Sequence, residues 1–528
     1  MLTFISLCLL GAVVLGLIIS TKVGQRERGL PPGPQTVPIV GNIHLLPKAE
    51  EMHLKFMEWS RKYGEIVSLK IGTGTMIILS SPSAIKGVVD KHGWEASSRP
   101  PNYLAGLAVG GYHILFALNT SQLRNLRKTV ARFFSPQHSV GRVPVEAAES
   151  SQLLFDMMTH PENFSKSIRR YTNSIAMVAV YGQRISCFTS PQLDRFYNTL
   201  HQFLHILVPG TYPPLDVLPA LKYLPTRWAP WRSVCGRIKS EMVAFHVDHS
   251  TAAEKRVLEA PQCSDIPKDN RSYLDYIMRM GLSYEEYQIF SYTGVSLVEA
   301  GSDTSAAFLL SLILILGLYP EHQERARLEI EAVIGTTRMP ELEDFKRMPF
   351  VDALVKEVVR IRPSFPFGVP HSTTEDIHYK GYVVPKDSTV FLNIYSIFHN
   401  PDLFAEPEVF NPDRFLGSEH GTRPGMDTDF RDNFNFGAGR RICPGQYVAR
   451  TTMQLSTMRL IWAFTFGPPV DARTNRLLTR DLDCYAYEFV VMPRPFNCAI
   501  QARSAEHREL VARTFNEAKS LLGQYEHD

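Results

Sequence analysis

Residues Phe436 to Gly445 read FGAGRRICPG, and the reading of the whole chain turns on them. Cys443 is the side chain in this run with metal chemistry, because a cysteine thiolate holds iron. Gly437, Gly439 and Gly445 let the backbone pass close to a flat ligand and turn N–H groups toward the sulfur. Phe436 offers a ring, and Arg441 a fixed cation for a carboxylate. These residue types together describe a site for a haem with a sulfur axial ligand. The plainer alternative is a glycine-rich turn whose cysteine is merely buried, as free cysteines usually are.

The surrounding chain sets the context. It has 528 residues, 44% hydrophobic and 21% charged, and no repeat, Gly/Ser linker or low-complexity tract divides it. One large domain with an ample core is expected. A net charge of +3 is small for this length, and no zinc or RNA-binding signature accompanies it, so a nucleic-acid binder is excluded. The cysteines (Cys8, Cys187, Cys235, Cys263, Cys443, Cys484, Cys498) are scattered and odd in number, the pattern of a reducing compartment rather than a disulfide framework.

The chain begins MLTFISLCLLGAVVLGLIIS, an uncharged run long enough to cross a bilayer as a helix. Lys22, Arg26 and Arg28 follow it, which places the body on the cytosolic side by the positive-inside rule. A cleaved signal peptide would instead show a charged start, a shorter apolar core and a small-residue cleavage site. The expected organisation is a transmembrane anchor over 1–21, a basic and proline-rich hinge over 22–45 containing Pro31-Pro32-Gly33-Pro34, and one domain over 46–528. On a cytosolic body, the acceptor-like triplets at Asn119, Asn163 and Asn270 are chance matches.

Within the body, Glu65 to Leu79 reads as strand, turn, strand, and Ser81-Pro82 as the cap of a short helix. Ser98 to Leu118 is loop-like, with Pro100, Pro101, Gly106, Gly110 and Gly111. SQLRNLRKTVARFF is a helix with Arg124, Arg127, Lys128 and Arg132 on a basic face, and residues 146–250 read as successive helices around a loop from Pro209 to Pro225. A long helical pattern from Tyr284 to Tyr319 carries Ala300-Gly301-Ser302-Asp303-Thr304-Ser305 at its middle. Glu357 and Arg360 stand three apart on VDALVKEVVRI, and Arg414 follows in FNPDRF. QYVARTTMQLSTMRLIWAFTF reads as a core helix and Ser504 to Asp528 as a charged, solvated helical tail.

The spacing Phe-x-x-Gly-x-Arg-x-Cys-x-Gly resembles the cysteine-ligand loop of the cytochrome P-450 monooxygenases at every diagnostic position. Ala300 to Thr304 is similar to the family's Ala/Gly-Gly-x-Asp/Glu-Thr signature, and Glu357, Arg360 and Arg414 match its Glu-Arg-Arg triad in family order. Tyr485 to Val490 followed by Pro493-Arg494-Pro495-Phe496 resembles the family's C-terminal hairpin. The likeness spans roughly Pro31 to Arg503 and is similar in style to fungal microsomal oxygenases of secondary metabolism. It implies a mainly α fold with small β-sheets, a triangular helical prism enclosing haem b behind one transmembrane helix. It further implies that Cys443 ligates iron, that Phe436, Gly437 and Gly445 shape the cradle, and that Arg441, Arg127 and His371 hold the propionates. Gly301 would leave room for dioxygen, and Asp303 and Thr304 would manage protons, with Thr304 in a local bulge of the helix. The triad would be a buried lock, and Phe365, Phe367 and Val369 pocket walls beneath the covering loop 98–118.

Family members usually carry Trp-x-x-x-Arg on the basic helix. Here Leu123 precedes Arg127, so an indole donor is missing and looser haem retention is expected. The implied activity is insertion of one oxygen atom from dioxygen into an apolar small molecule at the endoplasmic reticulum membrane. Electrons would come from NADPH through NADPH-cytochrome P-450 reductase, with cytochrome b5 as a further donor and the basic helix face as a docking surface. A reductase-independent isomerase or peroxygenase of the same fold, and a non-catalytic haem binder, are the alternatives; the intact Asp303-Thr304 pair favours the monooxygenase.

Overall fold

The computed structural model describes residues 23–259, 271–426, 429–482 and 484–526. The expected anchor over 1–21 lies outside the described residues, as do Cys8, Cys263 and Asn270. Strands β1 (Ile66–Ile71) and β2 (Gly74–Leu79) form the expected antiparallel pair. Ser81 then caps the helix Pro82–Ile85, its hydroxyl accepting the Ala84 N–H. The covering segment is not all loop. Asn102 caps a helix, α1 (Tyr103–Val109), which buries Ala105, Ala108 and Val109, so three burying positions outweigh the glycine at 106.

The basic helix is α2 (Ser121–Phe133), and the succeeding helices are α3 (Val143–Thr159), α4 (Phe164–Tyr181), α5 (Pro191–Leu207) and α6 (Pro230–Glu259). Helix α7 (Tyr284–Leu318) is the spine of the fold. Ser283 and Glu286 close a capping box at its start, and from Ser305 to Leu318 every residue is buried. It is long and apolar enough to cross a membrane by composition, yet 89% of its apolar window is buried in the protein, which makes it a core helix. Leu309, Leu312, Ile313 and Ile315 are each 0% exposed, and each contributes roughly 1.5–3 kcal/mol by burial.

Helix α8 (Pro349–Ile361) carries the triad to a buried meeting point. Arg360 donates to both carboxylate oxygens of Glu357 at 2.7 and 2.8 Å, and Arg414 Nε approaches the same carboxylate at 3.1 and 3.2 Å. Their remaining donors hold the carbonyls of Phe398, Pro407, Ala405 and Val409, so the ions pin the segment from 398 to 414 onto α8. Strand β3 (His371–Ser372) and strand β4 (Thr389–Leu392) complete a sheet in the order β1-β2-β4-β3.

After the cysteine loop, helix α9 (Gln446–Ala463) is shorter than the apolar run that encodes it. Phe464–Phe466 leaves the helix as a strand paired with Ile500–Ala502. Strands β5 (Tyr485–Tyr487) and β6 (Val491–Pro493) make the expected hairpin. The tail is not solvated. Helix α10 (Ala505–Gly523) lies on α3, burying His507, Leu510, Val511 and Leu522, with Phe515 stacked 4.8 Å from Phe155. Beyond it, Tyr525 O accepts the Arg184 N–H at 2.9 Å, and Glu526 pairs with Arg184. Arg184 also binds Glu149, the buried partner of Arg170.

Two stability outcomes follow. A chain ended after Arg503 should melt on the order of 5–10 °C lower, because three leucine- or valine-sized anchors return to water; a solvated tail would leave Tm unchanged. Glu357→Gln leaves two buried guanidiniums without their carboxylate and should cost about 3–5 kcal/mol, read as a lower denaturation midpoint.

Candidate active site

The cysteine loop is shaped by its backbone. Gly437 and Gly439 sit at φ +83° and +58°, left-handed values that favour glycine, and a Cβ at Gly439 would lie 3.0 Å from the Val89 carbonyl oxygen. Asp90 takes the Gly439 N–H at 2.8 Å and pairs with Arg431, tying the loop down. The Cys443 N–H donates to Phe436 O at 2.8 Å, which folds the run back on itself, and Arg450 lies 5.6 Å from the Phe436 ring. Burial pushes the Cys443 thiol up in pKa, while the Gly445 N–H on the sulfur and the nearby Arg127 cation work the other way. The start of α9 just beyond Gly445 adds the positive end of a helix to the same side.

Around this loop stand three guanidiniums. Arg99 and Arg441 are 5% and 7% exposed, and Arg127 is half-buried. Arg99 donates to Leu115 O, Val369 O and Pro370 O. Arg127 donates to Arg440 O and Ile442 O, and Arg441 to Ser97 O, Ile114 O and Ala117 O. All of these acceptors are backbone carbonyls, and among the described residues none of the three arginines forms an ion pair. Burial and then their mutual repulsion pull Arg99 well below the usual guanidinium range, and burial with Arg127 brings Arg441 down to about 9. Concentrated positive charge of this kind fits a ligand with two carboxylates, as a haem has, with the thiol as its axial donor.

His371, on β3, joins the cluster. Its Nδ1 lies 2.7 Å from Ala96 O, and because a carbonyl only accepts, Nδ1 carries the proton. Burial first, then Arg99, holds its pKa well below the ordinary range, so the ring is neutral and Nε2 is its acceptor nitrogen. A cavity of about 690 Å³ reaches the thiol from the side of α2 and is lined by Trp94, Leu123, Arg127, Arg441, Cys443 and Tyr447. It opens beside the cysteine loop and not over α7. Leu123 supplies no indole there, but Trp94 does line the cavity, with Arg124 stacked 4.0 Å above its ring.

On α7, Asp303 is 2% exposed and neither carboxylate oxygen has a hydrogen-bond partner. Burial raises its pKa to about 6, with Arg169 opposing the shift and Glu488 adding to it. The Thr304 hydroxyl donates to Ala300 O at 2.8 Å, and the helix runs through this turn without the expected bulge. Gly301 faces α4, where a Cβ would come 3.2 Å from Ala176 Cβ, so its small size serves close helix packing.

The aromatic wall has a wider base than the sequence suggests. Phe365 meets Phe489 of the hairpin tip at 5.8 Å, Phe489 meets Phe116 at 6.2 Å, and Phe116 meets Phe203 of α5 at 5.9 Å. Val369 offers its carbonyl to Arg99, whereas Phe367 packs on Phe56 at 5.0 Å in the core against β1 and β2. Arg99, Trp94, Phe116 and Phe489 had no periodicity or spacing to mark them; a lone arginine ahead of Pro100-Pro101 in a glycine-rich stretch was the faint signal available.

A family model for cytochrome P450 matches residues 31–495. A cytochrome P450 monooxygenase of Armillaria gallica is 36% identical over 510 residues, covering 96% of each chain. The cytochrome P450 monooxygenase macC of Penicillium terrestre is 34% identical over 537 residues and 99% of each chain. The cytochrome P450 monooxygenase yanC of Aspergillus niger is 34% identical over 520 residues and 94% of each chain. Likeness of this extent, laid over a cysteine loop walled by unpaired arginines, means that the chain belongs to the cytochrome P450 family and is one of its monooxygenases.

Proposed function

We propose that this monooxygenase inserts one oxygen atom from dioxygen into an apolar small molecule, as a hydroxylation, epoxidation or ring closure in fungal secondary metabolism. Cys443 would hold haem b, with electrons from NADPH delivered by NADPH-cytochrome P-450 reductase and cytochrome b5 as a further donor. The body would face the cytosol from the endoplasmic reticulum membrane, anchored by the apolar run at 1–21. The fungal sources of the relatives support the metabolic setting, and the basic face of α2 suits an acidic partner. The observation that carries the reading is a half-buried thiol beside a cluster of three guanidiniums that, among the described residues, pair with no carboxylate.

Bound haem supplies an iron that activates dioxygen. The chain's own residues prepare the rest. The Gly445 N–H and Arg127 stabilise negative charge on the Cys443 sulfur. Arg99, Arg127 and Arg441 would exchange carbonyl acceptors for carboxylates, which form the stronger class of hydrogen bond. A carboxylate near His371 would favour its protonation and turn Nε2 into a donor. Phe365, Phe489 and Phe116 keep water from the substrate. Asp303 takes up a proton as pH falls toward 6, and the adjoining Thr304 hydroxyl can turn from Ala300 O to donate on its own side of the helix.

Three outcomes check this. Arg99→Leu and Arg441→Leu should lower the haem-to-protein ratio of purified protein, with Arg99→Lys in between. In reconstitution with the reductase, product per NADPH should fall as pH rises through about 6, since the protonated form of Asp303 is the one lost; Asp303→Asn should erase that limb and reduce product formation roughly 10²-fold. Thr304→Ala should leave NADPH consumption running while product per NADPH drops. Turnover without NADPH or dioxygen would instead select the isomerase or peroxygenase.

A further inference from the structure

One buried ion-pair-like contact has no part in the chemistry above. Glu299 lies on α7 one turn before Asp303, and His113 lies in the covering segment after α1. Their side chains are 7% and 5% exposed, and His113 Nε2 is 2.9 Å from Glu299 Oε2. The imidazole's other nitrogen, Nδ1, accepts the Leu115 N–H at 3.3 Å. An acceptor there cannot carry a proton, so the proton sits on Nε2 and is donated to the carboxylate. The contact is a charge-assisted bond in a dry site, between residues 186 positions apart in sequence.

Its geometry bears on the aromatic wall. The His113 ring contacts Phe116 at 5.3 Å and Phe203 at 5.5 Å, and its carbonyl accepts the N–H groups of Phe116 and Ala117 at 3.0 and 2.9 Å. The turn that aims Phe116 at Phe489 is therefore built on His113. The segment's other anchors are Arg99 on Leu115 O and Arg441 on Ile114 O and Ala117 O. Those two arginines belong to the cluster that fits the cofactor's carboxylates, so their donors are shared. The link to Glu299 ties the segment to α7 without drawing on them.

We propose that Glu299 and His113 are positioning residues, a latch that fastens residues 113–117 to α7 and so sets the Phe116–Phe203–Phe489 wall that selects substrates. The consequence for substrate choice rests on the monooxygenase reading, whereas the latch itself is read without turnover. The test is hydrogen–deuterium exchange on full-length, haem-loaded protein. Glu299→Ala and His113→Phe should speed exchange of amides 114–117 by ~10-fold or more, the scale of a lost bond to a charged group, with amides 306–318 unchanged. Glu299→Gln keeps an acceptor for Nε2–H and should stay close to the parent protein. The dissociation constant for 4-phenylimidazole, read from the Soret shift, should move several-fold in the Ala and Phe variants and not in the Gln variant. Unaltered exchange at 114–117, an equal rise at 306–318, or a Gln variant that behaves like the Ala variant would overturn the latch. Failure of haem to bind through Cys443 would leave the exchange result standing and would count against the proposed function alone.

Discussion

Three clustered guanidiniums, two buried and one half-buried, with no counter-ion among the described residues, set the terms for the rest of this structure. Burial lowers the proton affinity of all three, the neighbouring cations lower that of Arg99 and Arg441 further, and every observed hydrogen bond of Arg99, Arg127 and Arg441 goes to a backbone carbonyl. Such charge is costly to bury unless something anionic completes it. Burial, reinforced by the same cations, keeps His371 neutral, and Arg127 favours the ionised form of a thiol that burial alone would keep protonated. The cysteine loop and the arginine cluster are thus two halves of one electrostatic demand, which a dicarboxylate ligand with a thiolate-seeking iron satisfies.

Two further devices hold those halves in register. Helix α7 is buried through its C-terminal half and presents Asp303 as a carboxyl with no hydrogen-bond partner, whose proton affinity is tuned upward by burial and by Glu488. Glu357 gathers Arg360 and Arg414 on the other side of the core, where the charges are matched and the carbonyls of residues 398–409 are taken up as well. One ionic cluster is closed and structural. The other carries surplus positive charge that suits an anionic ligand.

What the sequence disclosed follows from how locally each feature is encoded. The FGAGRRICPG run holds its ligand, turns and cation within a few positions, so its chemistry is readable without a fold. Helix α7 announces itself by a long helical pattern with an apolar second half, and the triad by an i,i+3 pair, whereas the Ser283–Glu286 capping box came to light only in the fold. Arg99, Trp94 and the His113–Glu299 contact are invisible in sequence because their partners lie far along the chain. The docked tail was hidden for another reason: Leu510, Val511 and Leu522 are a thin stripe in a charged helix, and Phe155, which meets Phe515 of that helix, is remote in sequence. Phe367 shows the converse, an aromatic beside pocket residues that turns instead into the sheet core.

The proposed bond between the Cys443 sulfur and a haem iron would give the arginine cluster and the Asp303 carboxyl a shared purpose. Carbon monoxide added to the reduced, purified full-length protein reports on that bond. The strongly red-shifted absorption band of a thiolate-ligated haem should appear, and Cys443→Ser should lose it. A band at the position given by nitrogen ligation, or an unchanged band in the Ser variant, would contradict the assignment of Cys443 and with it the site described above.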